Sequence, residues 1–236
     1  MVKRFGLIII LYLFAQLSPL AVSELVSTLA LEPATQNAII MNYQVIIFIL
    51  ALVGAIFILK KEDEFERKEG QASGLMTVIW TILGLFMAWF GQGIAVVIQN
   101  FILGEPVQSQ NTLDLMELAR AFPVVIILIA IVGPIFEEII FRRIIFGELY
   151  KRTNFLVAGT VSGLIFAVIH FDFTHLLVYF TMSFVFAFIY VQSKRLIVPI
   201  LAHVLMNTFV VIIQLFFYEQ IMEQFEQVAT ILFLPF

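Results

Sequence analysis

The chain has 236 residues, of which 62% are hydrophobic and 13% charged, with a mean hydropathy of +1.06. A soluble domain is nearer half apolar and a quarter charged, so the composition excludes a soluble globular protein and points to an all-α, polytopic transmembrane helix bundle. The absence of cysteine removes disulfides, thiolate ligands and a cysteine nucleophile; the net charge of −4 says little by itself, and no nucleic-acid partner is expected.

A spanning helix needs about 20 mostly apolar residues. Taken in chain order, the candidate spans are 5–29, 41–59, 75–103, 121–147, 155–171, 175–193 and 196–218, seven in all within a range of six to eight. Lys3 and Arg4 before the first span, with Ala21-Val22-Ser23 inside it, resemble a signal peptide and its cleavage site. The apolar stretch nevertheless runs on through Leu25 to Leu29, so a retained helix is expected. Residues 60–74 form a charged loop, expected to be a solvated linker. In the short loop 171–175, Asp172 and His175 read as interfacial residues, with modulation of His170 as the alternative. Residues 219–236 start with Glu219, Glu223 and Glu226 at helical spacing and read as an interfacial helix and tail. The expected organisation is three N-terminal spans in 1–120, a four-span core in 121–218, and the tail.

Under seven spans, Lys3, Arg4, Lys60, Lys61, Arg67, Lys68, Arg142, Arg143, Lys151, Arg152, Lys194 and Arg195 fall on one side and Arg120 on the other. The positive-inside rule makes the first side cytoplasmic. A multi-pass protein of a bacterial plasma membrane, N-terminus inside, is the expectation.

Several polar groups interrupt the apolar segments. Glu137 lies roughly 15 Å into its span, His170 roughly 22 Å, and His203 and Asn207 roughly 10 and 16 Å, at 1.5 Å per residue. Ionisable groups at such depth mark function by default, and similar depth lets three helices converge on one cavity. Helical phase separates the two acids. Glu138 has Arg142 four residues on, in the favourable order for an ion pair. Glu137 is rotated by about 100° and has no local cation, so it should face the cavity. Gly133-Pro134, one turn earlier, should kink the helix. A carboxylate, two imidazoles and a neutral amide are what water activation needs; the same groups would also serve as buried glue between helices. No H-E-x-x-H is present. Ser162, on the His170 segment, lacks the elbow that would present a nucleophile.

At these residues the chain resembles the CAAX-protease and bacteriocin-processing (Abi) family of intramembrane proteases. Its first motif matches Glu137-Glu138-Ile139-Ile140-Phe141-Arg142, its second Phe166-Ala167-Val168-Ile169-His170, and its third His203-Val204-Leu205-Met206-Asn207. The resemblance covers residues 121–217. It implies an intramembrane endopeptidase in which Glu137 and His170 hold and deprotonate water, His203 and Asn207 stabilise the oxyanion, and Glu138 with Arg142 supports them. It favours no metal; if zinc were used, Glu137, His170 and His203 would be the ligands. The partners implied are the lipid bilayer and a peptide or membrane-protein substrate. Two other readings stay open at this point: a non-catalytic immunity or scaffolding protein of the same fold, and an ion-coupled transporter using Glu137 as its proton site.

Overall fold

The computed structural model describes residues 2–60, 70–104, 109–217 and 220. Among the described residues there are eight helices and no strands. They are α1 (Val2–Ser27), α2 (Pro33–Leu59), α3 (Gly74–Ile98, prolonged by a π-helical turn Gln99–Leu103), α4 (Gln110–Ala121), α5 (Pro123–Tyr150), α6 (Phe155–Val168), α7 (Leu176–Ser193, entered through a 3-10 turn Phe173–His175) and α8 (Ile197–Ile212, prolonged by a π-helical turn Ile213–Phe217). Lys61, Arg67 and Lys68 lie outside the described residues, as does the expected interfacial tail apart from Gln220.

Six of these are long and apolar enough to cross a membrane: α1, α2, α3, α5, α7 and α8. The seventh candidate, 155–171, forms a helix of only 14 residues, about 21 Å at 1.5 Å per residue against a hydrocarbon core of about 30 Å. Asn154 caps its start by accepting from the Val157 N–H at 3.0 Å. It ends early because Phe171 adopts φ +53°, a left-handed conformation that turns the chain back. Gly159 and Gly163 let α6 lie close on α7: a Cβ there would stand 2.9 Å from Phe184 and 3.0 Å from Phe180. Small residues serve this purpose between membrane helices, where lipid gives no hydrophobic drive to associate.

Helix α4 has no counterpart in the sequence reading. It is short and mixed in polarity, with no apolar run to announce it. It connects the far end of α3 to the start of α5. At the opposite end of the bundle, the Ala72 N–H donates to Ser193 O at 3.0 Å and Arg195 Nε donates to Ala72 O at 2.6 Å. These bonds tie the start of α3 to the α7–α8 turn and gather Lys60, Lys151, Arg152, Lys194 and Arg195 at one end.

Helix α5 is as enclosed as any span and carries two π-helical stretches, Leu128–Val132 and Ile139–Phe146. Looser winding disturbs the carbonyl ladder, and an unsatisfied carbonyl in lipid costs several kcal/mol. Side chains from neighbouring helices meet that need. Asn207 donates to Ile129 O at 3.0 Å and Ser162 to Phe141 O at 3.2 Å; the π-helical turn of α8 is served likewise, by Arg120 donating to Gln214 O at 2.9 Å.

Candidate active site

A π-helical stretch, Leu128–Val132, precedes Gly133-Pro134, where the sequence predicts a kink. Pro134 then sits in the first turn of a regular segment, Gly133–Glu138, where its missing N–H does least harm. Gly133 is required there, because a Cβ would stand 2.8 Å from Leu128 O. One turn later come the acids, and the structure gives them different surroundings.

Glu138 is sealed. Its Oε2 lies 2.9 Å from Arg142 Nε, and both side chains are fully buried. The approach is off-line for a hydrogen bond, so the contact is mainly Coulombic. The guanidinium lies between the rings of Phe166 and Phe186, 5.2 and 5.4 Å from their centroids, where the ring quadrupoles favour a cation. The Glu138–Arg142 pair follows from the four-residue spacing. A third member does not: His203 Nδ1 stands 2.8 Å from Glu138 Oε1. Phe186 stacks on the His203 ring at 4.8 Å and 29°.

Glu137 is the open one, with 21% of its side chain exposed. Its Oε2 lies 3.8 Å from His203 Nε2, so the imidazole of α8 stands between the two carboxylates of α5. The Tyr12 phenol on α1 and the Tyr179 phenol on α7 are within electrostatic range of Glu137. Tyr12 accepts from Gln16 Nε2 at 3.0 Å and sets its ring edge-on to Phe136 at 5.2 Å. The first helix is therefore a wall of this site. A tyrosine in an apolar run gives little warning of that from sequence.

His170 closes α6. With the helix ending at Val168, its N–H bonds to Ala167 O, which leaves Phe166 O to take the ring Nδ1 at 2.7 Å. A carbonyl only accepts, so Nδ1 carries a proton and, in the neutral ring, Nε2 keeps its lone pair. The imidazole stacks on Tyr179 at 4.1 Å and 22° and lies 4.6 Å from the Phe166 ring. Asn207 shares the His203 face as expected but gives one amide proton to Ile129 O, leaving its second N–H. Among the described residues, no group of three or more His, Asp or Glu side chains is gathered to hold a metal ion, and Glu137, His170 and His203 form no such cluster.

Asp172 and His175 depart from the interfacial reading: both are buried. Asp172 Oδ2 accepts from Ser109 Oγ at 2.7 Å, and Oδ1 accepts from Thr174 Oγ1 at 2.8 Å and lies 3.3 Å from His175 Nδ1. Burial pushes the Asp172 carboxyl up, but those hydroxyl bonds and neighbouring His175 outweigh it and hold it below the usual range. Gln99 donates to Thr174 O and accepts from the Val178 N–H at 3.2 Å, fixing the start of α7.

Known proteins bear on this arrangement. A family model described as Type II CAAX prenyl endopeptidase Rce1-like matches residues 119–209. A putative membrane peptidase, YdiL of Bacillus subtilis, is 41% identical across 97% of this chain and 95% of its own length. The membrane-embedded CAAX protease MroQ of Staphylococcus aureus is 34% identical across 97% of each chain. The chain belongs to the Rce1-like CAAX endopeptidase family. No solved structure matches it. Membership makes it a membrane peptidase, and the kinship is with membrane proteins of bacteria. The Rce1-like match takes in Glu137, Glu138, Arg142, His170, His203 and Asn207. Tyr12, Ser109 and Asn111 fall outside it but inside the alignments with both relatives.

Proposed function

We propose that the protein is an intramembrane endopeptidase that hydrolyses a peptide bond in a membrane-associated peptide or protein, using water activated by Glu137. The observation that carries this reading is the asymmetry of the two acids: Glu138 is locked in ion contacts, while Glu137 is partly open and next to an imidazole. Glu137 takes a proton from water held between it and His170 Nε2, and the oxygen adds to the scissile carbonyl carbon. With both ring nitrogens protonated, His203 donates through Nδ1 to Glu138 and presents Nε2–H to the oxyanion. The free N–H of Asn207 is the second donor. The proton on Glu137 then passes to the leaving amine as the C–N bond breaks. Glu138 and Arg142 act by holding His203.

No step is routed through a metal. Among the described residues no three His, Asp or Glu side chains gather to hold an ion, and this reading uses none. Activity is accordingly expected to survive chelators. The basic end of the bundle is assigned to the cytoplasm by the positive-inside rule, which puts the N-terminus inside.

The test is a comparison of peptide termini in membranes carrying the wild type or Glu137→Gln. A precursor that accumulates uncleaved only with the variant supports the reading and identifies the substrate. Cleavage of that substrate by purified Glu137→Gln at the wild-type rate removes it.

A further inference from the structure

His170 is held from two directions, and only one belongs to the family motif. The motif side is Phe166, whose carbonyl takes the Nδ1 proton. The other side is Tyr179, whose ring lies nearly parallel to the imidazole at 4.1 Å. Tyr179 is itself fixed by residues at the start of α4, far away in sequence. Asn111 Nδ2 stands 3.0 Å from the Tyr179 hydroxyl, and Ser109 Oγ stands 3.2 Å from it.

The directions of these bonds are determined. The Asp172 carboxylate only accepts, so the Ser109 hydroxyl proton goes to it at 2.7 Å. Ser109 Oγ can then only accept from Tyr179, so the phenol proton points to Ser109. The Asn111 amide donates to the remaining lone pair of the phenol oxygen. The chain runs one way, Asn111 to Tyr179 to Ser109 to Asp172, with every donor used in a single orientation. Ser109 Oγ also accepts from the Thr112 N–H at 3.2 Å, capping α4. Thr174 anchors the other oxygen of Asp172.

We infer that Tyr179 is a positioning residue for His170, and that the start of α4 sets its ring through this chain of hydrogen bonds ending on Asp172. Among the described residues, Tyr179 is the ring that lies against the imidazole besides Phe166. With the Tyr179 ring loose, the imidazole is free to turn about its χ2 bond and withdraw Nδ1 from Phe166 O. Nε2 then no longer presents a fixed lone pair. The part of this inference that concerns turnover rests on the peptidase reading above; the part that concerns the ring does not.

The experiment labels the histidines with 15N and assigns His170 by comparison with His170→Gln. The imidazole 15N shifts then report its tautomer in lipid nanodiscs. Wild type should show the Nδ1–H form alone. Tyr179→Leu, which removes the ring, should show a mixture of tautomers. Tyr179→Phe keeps the stack but loses both hydroxyl bonds, and Asn111→Ala loses one of the two, so each should show a smaller share of the second tautomer, Tyr179→Phe more than Asn111→Ala. On a substrate found by the comparison of termini, kcat should drop about 10-fold in Asn111→Ala with KM little changed, one power of ten being about 1.4 kcal/mol of barrier. A purely structural role would lower thermal stability alone and leave tautomer and kcat at wild-type values, which overturns the inference. A fall in kcat with the tautomer unchanged also overturns it, because Tyr179 would then not act through His170. If the wild type cleaves nothing, the peptidase reading fails, and the 15N spectra still decide whether Tyr179 positions His170.

Discussion

Two buried polar groups hold the two histidines of the site by opposite physical means. The first, Glu138 with Arg142 and His203, is built from charges and lies mid-bundle, without solvent exposure at either member of its ion pair. The second, Asp172 with Ser109, Asn111 and Tyr179, is mainly a chain of hydroxyl and amide hydrogen bonds where the connections fold over the end of the bundle. Each grips one histidine. The ionic group holds His203 through Nδ1, and the hydrogen-bonded group holds His170 through a stacked ring. The contrast indicates where chemistry can occur. Neither carboxylate is free to react, because each oxygen of Glu138 and of Asp172 already faces a cation, an imidazole or a hydroxyl. Glu137, left between them with part of its surface open, is the group whose proton can move.

The largest expected effect tests that assignment. Glu137→Gln keeps shape and removes the base, and should lower kcat/KM by about 10²- to 10⁴-fold, the usual range for a general base. Stability should be nearly unchanged. An equal loss of activity and folding would place Glu137 with the structural acids and break the distinction. Next comes the ionic group. Arg142→Met leaves Glu138 buried without its cation, and should destabilise the protein by about 3–5 kcal/mol, read by thermal unfolding in detergent. Replacing both partners, Glu138→Leu with Arg142→Met, should recover part of the loss. An additive double variant would show that the pair is not an energetic unit.

The outer group should be less costly to break. Asp172→Asn turns one acceptor of the Ser109 and Thr174 protons into a donor, with an expected loss of about 1–3 kcal/mol. Its pH dependence has a definite sign. The folded carboxyl lies below its ordinary value of 3.8, so its contribution is fully present above that value and is lost as pH falls through the lower folded one. The stability gap between wild type and Asp172→Asn should therefore be flat from about pH 8 to about pH 5 and close only in stronger acid. A gap that closed near neutrality would show that the Asp172 carboxylate is not its source.

These contrasts were unequally legible in the sequence. The unequal acids and the Glu138–Arg142 contact follow from residues one turn apart, which helical phase resolves. The shared face of His203 and Asn207 is legible for the same reason. The bond from His203 to Glu138 joins α8 to α5 across 65 positions, and no local period encodes it. The short α6 is hidden because the apolar run continues past Val168, while the chain turns at Phe171 through a backbone angle that hydropathy does not see. Asp172 and His175 read as interfacial because their sequence neighbours form a loop. Ser109, which buries Asp172, comes from the start of a helix too polar and too short to stand out.

The smallest effect tests whether the π-helical stretch of α5 or a hidden nucleophile explains Ser162. Its hydroxyl is buried and donates to Phe141 O at 3.2 Å, a carbonyl inside the stretch Ile139–Phe146 that follows the acids. Ser162→Ala leaves that carbonyl without its donor, yet the cost should be modest. Hydrogen bonds between membrane helices average about 0.6 kcal/mol with a maximum near 1.7, because the unfolded chain in lipid also finds partners. The shift in unfolding midpoint should accordingly be smaller than for Asp172→Asn, and kcat should stay within about twofold, since 0.4 kcal/mol of barrier is a factor of about two. If Ser162→Ala abolishes cleavage while leaving the midpoint in place, the hydroxyl is attacking the substrate. The bond to Phe141 would then be its resting position, and the asymmetry of the two glutamates would no longer identify the reacting group.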